Sequence, residues 1–196
     1  AAVVGESAWR WIEGDVQAIR KPVIVAPDPV AVLQGAGRIA LARSGARVVG
    51  VTGSTGKTTT KDILVAMLRA AGVAAEGTPG NRNTGIGVPM SLLGLSEGCE
   101  VAVVEMGMRG AGQIAELAAL APPEVGVITA IGPVHLELLG TVEAVAAAKA
   151  ELLAALRPGG TAVVPEGEAL LDPHLAALDP GVTVVRFGGA PDLDLD

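Results

Sequence analysis

The sequence of 196 residues is poor in aromatic side chains, with no tyrosine, one phenylalanine and two tryptophans. Proteins that bind single-stranded nucleic acid stack the bases on aromatic side chains, and proteins that bind DNA or RNA usually present a basic surface. This chain offers neither feature, because its formal net charge is −7 at pH 7. We therefore expect no nucleic acid among its partners.

Cysteine and long apolar runs are also scarce. The single cysteine, Cys99, excludes a disulfide bond within the chain and indicates a reducing compartment. No apolar run approaches the roughly 18 residues of a membrane-spanning helix, so we expect no membrane span. The first residues include Glu6 and Arg10 and lack the apolar segment of a signal peptide, so we expect a cytoplasmic protein. Because the first residue is Ala1 and not Met, we also expect a processed or truncated N-terminus.

The sequence is rich in short Val-rich runs that alternate with amphipathic stretches. This alternation predicts an α/β fold, in which a mostly parallel sheet is flanked by helices. Ligands of such sheets bind beyond the carboxyl ends of the strands. A further helix should begin at Asp28-Pro29 and end near Ser44-Gly45, and residues 1–27 should be irregular apart from short β-like runs. The predicted strands are 47–52, 73–77, 100–105, 124–129, 161–164 and 182–186, and the predicted helices are 57–70, 85–94, 112–120, 141–156 and 167–177.

A glycine- and threonine-rich turn joins the strand 47–52 to the helix that follows it. Such a turn points backbone N–H groups and the positive end of a helix at one place, which suits phosphate. Lys57 can reach the terminal phosphates of a nucleoside triphosphate, and the Thr58 hydroxyl can hold Mg²⁺. The general P-loop has a glycine where this chain has Val51, so a plain turn without a ligand is the alternative. The predicted nucleotide-binding residues are Thr52, Gly53, Ser54, Thr55, Gly56, Lys57, Thr58 and Thr59.

Three later segments place polar side chains after strands or on a helix. Glu105 ends a buried strand, where a carboxylate can hold Mg²⁺, although an exposed strand end is the alternative. His135 follows the strand 124–129, and is consistent with either a ligand or a surface histidine. On helix rules alone, Lys149 is a solvated lysine paired with a nearby glutamate. A long polar loop containing Asn81, Arg82 and Asn83 can bind an anion or simply connect two elements.

Taken together, these segments resemble the Mur ligase family of peptidoglycan synthesis. Four blocks match in order over about residues 28–165: the phosphate loop, the Asn-x-Asn loop that ends in Gly-Val-Pro, Glu105-Met106-Gly107, and 132–137 with Lys149 downstream. The second and third blocks favour the branch of the family that adds D-Ala-D-Ala. Mur ligases have three domains. The resemblance implies that residues 1–46 end a UDP-binding domain and add a connecting helix, that 47–187 form the central ATP-binding domain, that 188–196 are a linker or tail, and that the C-terminal ligase domain is absent from this chain.

The resemblance also implies an activity and a set of roles. ATP would phosphorylate the terminal carboxylate of a UDP-N-acetylmuramoyl-tripeptide, and the amine of D-Ala-D-Ala would attack the acyl phosphate. The implied catalytic residues are Lys57, His135 and Lys149, and Lys149 would be carbamylated. Two Mg²⁺ ions are implied. The implied metal ligands are Thr58, Glu105, His135 and Lys149, and the implied substrate-binding residues are Asn81, Arg82 and Asn83.

Some questions stay open at this stage. The chain departs from the family pattern at Ala130 and at Pro165, where the family usually has Asn, so the resemblance assigns no adenine contact. Another Mur-type or folylpolyglutamate-type amide ligase is one alternative, and a nucleotide-binding module without turnover is another. We expect a monomer, and the sequence does not identify the third residue of the acceptor peptide.

Overall fold

The computed structural model describes residues 2–12 and 22–188. Its strands alternate with helices along almost the whole of the second range. The strands are β1 (Ala2–Gly5), β2 (Val23–Ala26), β3 (Arg47–Thr52), β4 (Ala75–Gly77), β5 (Val101–Glu105), β6 (Val125–Ile128), β7 (Thr161–Pro165) and β8 (Thr183–Phe187). The helices are α1 (Glu6–Ile12), α2 (Pro29–Ser44), α3 (Lys57–Ala70), α4 (Gly87–Leu93), α5 (Gln113–Leu120), α6 (Leu136–Leu139), α7 (Val142–Ala154) and α8 (Asp172–Ala176).

Six strands form one parallel sheet in the order β4-β5-β3-β6-β7-β8. The first strand of this sheet along the chain, β3, lies near its middle, between β5 and β6, and the later strands lie on both sides of it. The central strands are almost wholly buried, which explains their continuous apolar sequences. The predicted α/β fold with a mostly parallel sheet is confirmed.

Residues 1–27 contain short β-strands, as expected, but the part that the structure describes is more regular than predicted. β1 and β2 pair in parallel as a separate two-stranded sheet, and α1 follows β1. The prediction for the tail 188–196 lies outside the described residues, except at Gly188. The predicted helix 167–177 is also wrong as a single element. A short 3-10 helix, Ala169–Leu171, comes first, and α8 begins anew at Asp172 with a proline in its first turn.

The helix ends follow the capping residues of the sequence. Asp28 caps α2 by accepting hydrogen bonds from the N–H groups of Val30 (3.0 Å) and Ala31 (2.9 Å). The same helix ends at Gly45, whose φ of 68° is the left-handed conformation that glycine adopts without strain. Thr141 caps α7 in the same way as Asp28 caps α2, by accepting from Ala144 N–H at 3.2 Å. No helix in the ranges 2–12 and 22–188 combines the length and apolarity needed to cross a bilayer.

Close packing of α7 on the sheet decides where the functional residues lie. Leu152 of α7 is fully buried and sits over Gly50 of β3, where an added Cβ would come within 2.8 Å of its Cδ1. The fit therefore needs a glycine on the strand. Because α7 is held this closely, Lys149, one turn earlier, is fixed toward the carboxyl ends of the strands.

Candidate functional site

A cleft of about 530 Å³ opens at the carboxyl ends of the central strands. Its walls come from the glycine-rich loop after β3, the polar loop after β4, the loops after β5 and β6, and α7. This is the edge of the sheet where a parallel α/β fold binds ligands. Of the predicted site residues, the cleft brings together Gly53, Ser54, Lys57, Asn81, Asn83, His135 and Lys149.

The glycine-rich loop is fixed to the loop that follows β6. Gly53 adopts φ 152°, and an added Cβ there would overlap the hydroxyl of Thr129, so only glycine fits. Ser54 Oγ donates to the carbonyl of Gly132 (3.0 Å) and accepts from the N–H of the same residue (2.9 Å). Gly56, at φ 80°, turns the chain into α3. The loop that presents backbone N–H groups is thereby bound to the loop that carries His135.

Lys57 is half-buried at the start of α3 and lines the cleft. Its Nζ donates to the carbonyl of Gly53 at 2.7 Å, so the ammonium lies across the glycine-rich loop. Burial lowers the pKa of Lys57, and the nearby carboxylate of Glu105 opposes this shift. A cation held across a glycine-rich loop at the start of a helix is suited to the terminal phosphates of a nucleotide.

Glu105 lies beneath the cleft and is 1 % exposed. Its Oε2 accepts from the Thr58 hydroxyl at 2.8 Å, and its Oε1 accepts from Asn83 Nδ2 at 2.7 Å. The alternative of an exposed strand-end glutamate is therefore wrong. Gly107 allows Asn83 to come this close, because an added Cβ would lie 2.8 Å from the Asn83 side chain.

The oxygens of Thr58 and Glu105 fit a magnesium ion. A hydroxyl and a carboxylate are hard oxygen ligands, and here they meet beside a phosphate-binding loop. Within the part of the chain that the structure describes, no three His, Cys, Asp or Glu side chains cluster as a metal site. The ion would thus depend on ligands from phosphate and water as well as on these two side chains.

Lys149 is 3 % exposed, so the interpretation of this residue as a solvated lysine is wrong. Burial, and secondly the positive charge of Lys57, lower its pKa to about 8. His135 shares the cleft with Lys149 and is 39 % exposed, with its Nδ1 3.9 Å from Glu137 Oε1. His135 adopts φ 54°, the left-handed conformation, as the residue just before α6. As an ammonium, Lys149 cannot hold a metal ion, whereas a carbamate on it could do so beside His135.

The remaining predicted residues do not line the cleft. The Thr52 side chain is fully buried at the end of β3, and Arg82 is exposed and borders a smaller hollow of about 90 Å³. The roles predicted for both residues stay predictions. Sequence reasoning also missed part of the cleft wall, although its position in the loop after β5 and on the helix α5 that follows was a usable signal. The missed wall residues are Met108, Arg109, Gln113, Glu116 and Leu117.

Comparison with known proteins agrees with this architecture. Residues 51–192 match the Mur ligase middle domain. The chain is similar to the UDP-N-acetylmuramoyl-tripeptide–D-alanyl-D-alanine ligase of Synechocystis sp., with 50 % identity over 124 residues, which are 63 % of this chain and 27 % of that enzyme. It is similar to the ligase of the same name from Bacillus subtilis, with 42 % identity over 149 residues, covering 76 % and 32 % of the two chains.

A solved structure with a similar fold is MurF ligase from Thermotoga maritima in complex with ADP. It has a TM-score of 0.81 and 32 % identity, and the match covers 95 % of this chain and 46 % of that one. The chain spans about a quarter to a third of the length of the two curated relatives. These matches confirm the resemblance to the Mur ligase family that the four sequence blocks indicated, and the relatives named here are ligases that add D-alanyl-D-alanine. The chain belongs to the Mur ligase family.

Proposed function

We propose that the protein containing this chain is an ATP-dependent amide ligase that adds D-Ala-D-Ala to UDP-N-acetylmuramoyl-tripeptide in peptidoglycan synthesis. The relatives named above are ligases of that description. The observation that carries the proposal is a single cleft that joins the glycine-rich loop to Asn83, His135 and Lys149. A module that only binds a nucleotide has no need for the buried Lys149 or for the polar loop that carries Asn81 and Asn83.

The chemical difficulty of this reaction is electrostatic. A carboxylate must approach the γ-phosphate of ATP, and both groups are anionic. In the proposed reaction a carboxylate oxygen attacks phosphorus, ADP leaves, and an acyl phosphate forms. The amine of the dipeptide then attacks the carbonyl carbon, phosphate leaves, and the amine loses a proton. Preorganised cations that stabilise the charge of each step are the largest expected contribution of the protein.

Several residues have distinct proposed roles in this scheme. The backbone N–H groups of the glycine-rich loop and Lys57 would hold the β- and γ-phosphates. Thr58 and Glu105 would hold one Mg²⁺ ion, and His135 and carbamylated Lys149 would serve a second. When bound, such ions neutralise phosphate charge as Lewis acids. Asn81, Arg82 and Asn83 would contact the substrate, and Asn83 also orients Glu105 through the hydrogen bond described above.

Phosphate release by the full-length protein tests the proposal. Mg-ATP, UDP-N-acetylmuramoyl-tripeptide and D-Ala-D-Ala are each omitted in turn, and single amino acids and glutamate replace the dipeptide in parallel reactions. Release that needs all three components is the expected result. Release with a single amino acid or with glutamate would instead favour a sister ligase, and background release with every acceptor would favour a binding module.

The same proposal includes a cytoplasmic location, because the reaction consumes ATP and a UDP-linked intermediate. It also includes a monomeric state. The division into a UDP-binding remnant (1–46), a central ATP-binding domain (47–187) and a tail (188–196) remains part of this proposal. Sedimentation of the full-length protein with and without Mg-ATP would test the monomeric state.

A further inference from the structure

Lys61 carries a charge and is nevertheless buried, at 2 % exposure. It lies in α3, one helical turn beyond Lys57 and Thr58. Unlike Lys57, it does not line the cleft. A buried ammonium is costly unless its three donors have partners, so its contacts indicate what it does.

Two of these contacts are to the backbone of the polar loop. Lys61 Nζ donates to the carbonyl of Thr78 at 2.7 Å and to the carbonyl of Gly80 at 3.1 Å. The third is an ion pair with Asp62 Oδ1 at 3.3 Å. The Asp62 side chain is 68 % exposed, so solvent screens this pair and the two carbonyls are the stronger partners.

The neighbouring strand packs along the lysine stem. Gly77 ends β4, and an added Cβ there would come within 3.4 Å of Lys61 Cγ and Cδ and within 3.1 Å of Val65 Cγ2. The aliphatic part of Lys61 therefore passes beside a residue without a side chain. Its ammonium emerges under the first residues of the loop 78–85.

A second connection runs from the same helix to the same loop. Thr58 donates to Glu105, and Glu105 accepts from Asn83 on its other oxygen. Lys61 thus holds the beginning of the loop, and the Thr58–Glu105–Asn83 chain holds its middle. Both connections start from the first turns of α3, which also begins at the phosphate-binding lysine.

We propose that Lys61 is a positioning residue, which fixes the loop 78–85 relative to the phosphate-binding end of α3 and so sets the place of Asn81 and Asn83 in the cleft. The inference rests on the proposed function for the consequence in turnover, but the loop attachment itself does not depend on it. Lys61 acts through two backbone carbonyls and does not contact the reacting atoms.

The test compares variants of the full-length protein by hydrogen–deuterium exchange and by kinetics. Lys61→Met keeps an apolar side chain and removes the hydrogen-bond donors. Lys61→Gln has a shorter side chain that still ends in an N–H donor. Asp62→Asn is the matched control, because it removes only the exposed partner. We expect Lys61→Met to increase the rate of hydrogen exchange in residues 78–85 about tenfold, because the loop loses two hydrogen bonds from a charged donor. The exchange rate in residues 53–60 should stay unchanged. Lys61→Gln should be intermediate, and Asp62→Asn should match wild type.

The kinetic readout separates positioning from general stability. The KM for the UDP-linked tripeptide should rise, or kcat should fall, by about tenfold in Lys61→Met, while the Kd for Mg-ADP stays within about twofold of wild type. Unchanged exchange in residues 78–85, an equal increase in 53–60, or a parallel loss of ADP binding would overturn the inference. Failure of Lys61→Gln to fold would overturn it as well, since Lys61 would then support the whole domain. If the wild-type protein does not ligate these substrates, the proposed function fails, and the exchange data still decide the role of Lys61.

Discussion

Carbamylation of Lys149 can be tested in quantitative terms. The neutral amine attacks the carbon of CO₂, a nitrogen–carbon bond forms, a proton is released, and an anionic carbamate results. Only the neutral amine reacts. With a pKa of about 8, Lys149 is neutral in about half of the molecules at pH 8 and in about 9 % at pH 7, whereas an ordinary lysine with a pKa of 10.5 is neutral in about 0.03 % at pH 7. The buried site thus increases the reactive fraction at pH 7 about 300-fold.

The assay uses the full-length protein with ¹³C-labelled bicarbonate and ¹³C NMR. We expect a carbamate signal in the wild-type protein that is missing in Lys149→Ala. Lys149→Ala should reduce turnover by on the order of 10²-fold, because a metal site would lose a ligand, and added bicarbonate should not restore it.

The pH dependence of the wild-type protein has a defined direction. At a fixed CO₂ concentration, turnover should fall as the pH falls below about 8, because protonation removes the neutral amine. Bicarbonate should restore the activity of CO₂-depleted protein. Full activity of the CO₂-depleted wild type between about pH 7 and 9, or wild-type activity of Lys149→Ala, would refute the reasoning.

Two further substitutions test the network around Glu105. Glu105→Gln should reduce kcat by on the order of 10²-fold, because the amide has no charge for a metal ion, while Glu100→Gln, just before the same strand begins, should have little effect. Equal turnover in steady-state assays of the two variants would contradict the metal role. Gly107→Ala should reduce turnover about tenfold or more, because its Cβ would displace Asn83 from Glu105; Gly110→Ala, which has open space around its Cβ, is the control. Normal kinetics for Gly107→Ala would mean that the Asn83–Glu105 contact is not needed.

The strands and the glycine-rich loop could be predicted because the local sequence decides them. β3 and α3 have continuous apolar or amphipathic patterns, and the turn between them is specified by glycines that adopt positive φ. The contact between Thr58 and Glu105, and the position of His135 at the same edge of the sheet, followed from one topological rule, since parallel strands end at the same edge.

Other features depend on contacts that no local pattern encodes. The role of Lys61 depends on backbone carbonyls 17 and 19 residues further along the chain. The burial of Lys149 depends on α7 packing against Gly50, so helix periodicity alone predicted a solvated side chain. α1 was missed because its seven residues are too few for a clear periodic signal.

Isotope transfer tests the proposed acyl phosphate most directly. The full-length protein is given Mg-ATP, D-Ala-D-Ala and UDP-N-acetylmuramoyl-tripeptide labelled with ¹⁸O in its terminal carboxylate, and the released phosphate is analysed by mass spectrometry. If the carboxylate attacks the γ-phosphate, the phosphate that leaves the acyl group carries one ¹⁸O atom from the peptide, and the amide keeps the other. Phosphate without the label would mean that water, and not the peptide carboxylate, receives the phosphoryl group, and would contradict the proposed ligase mechanism.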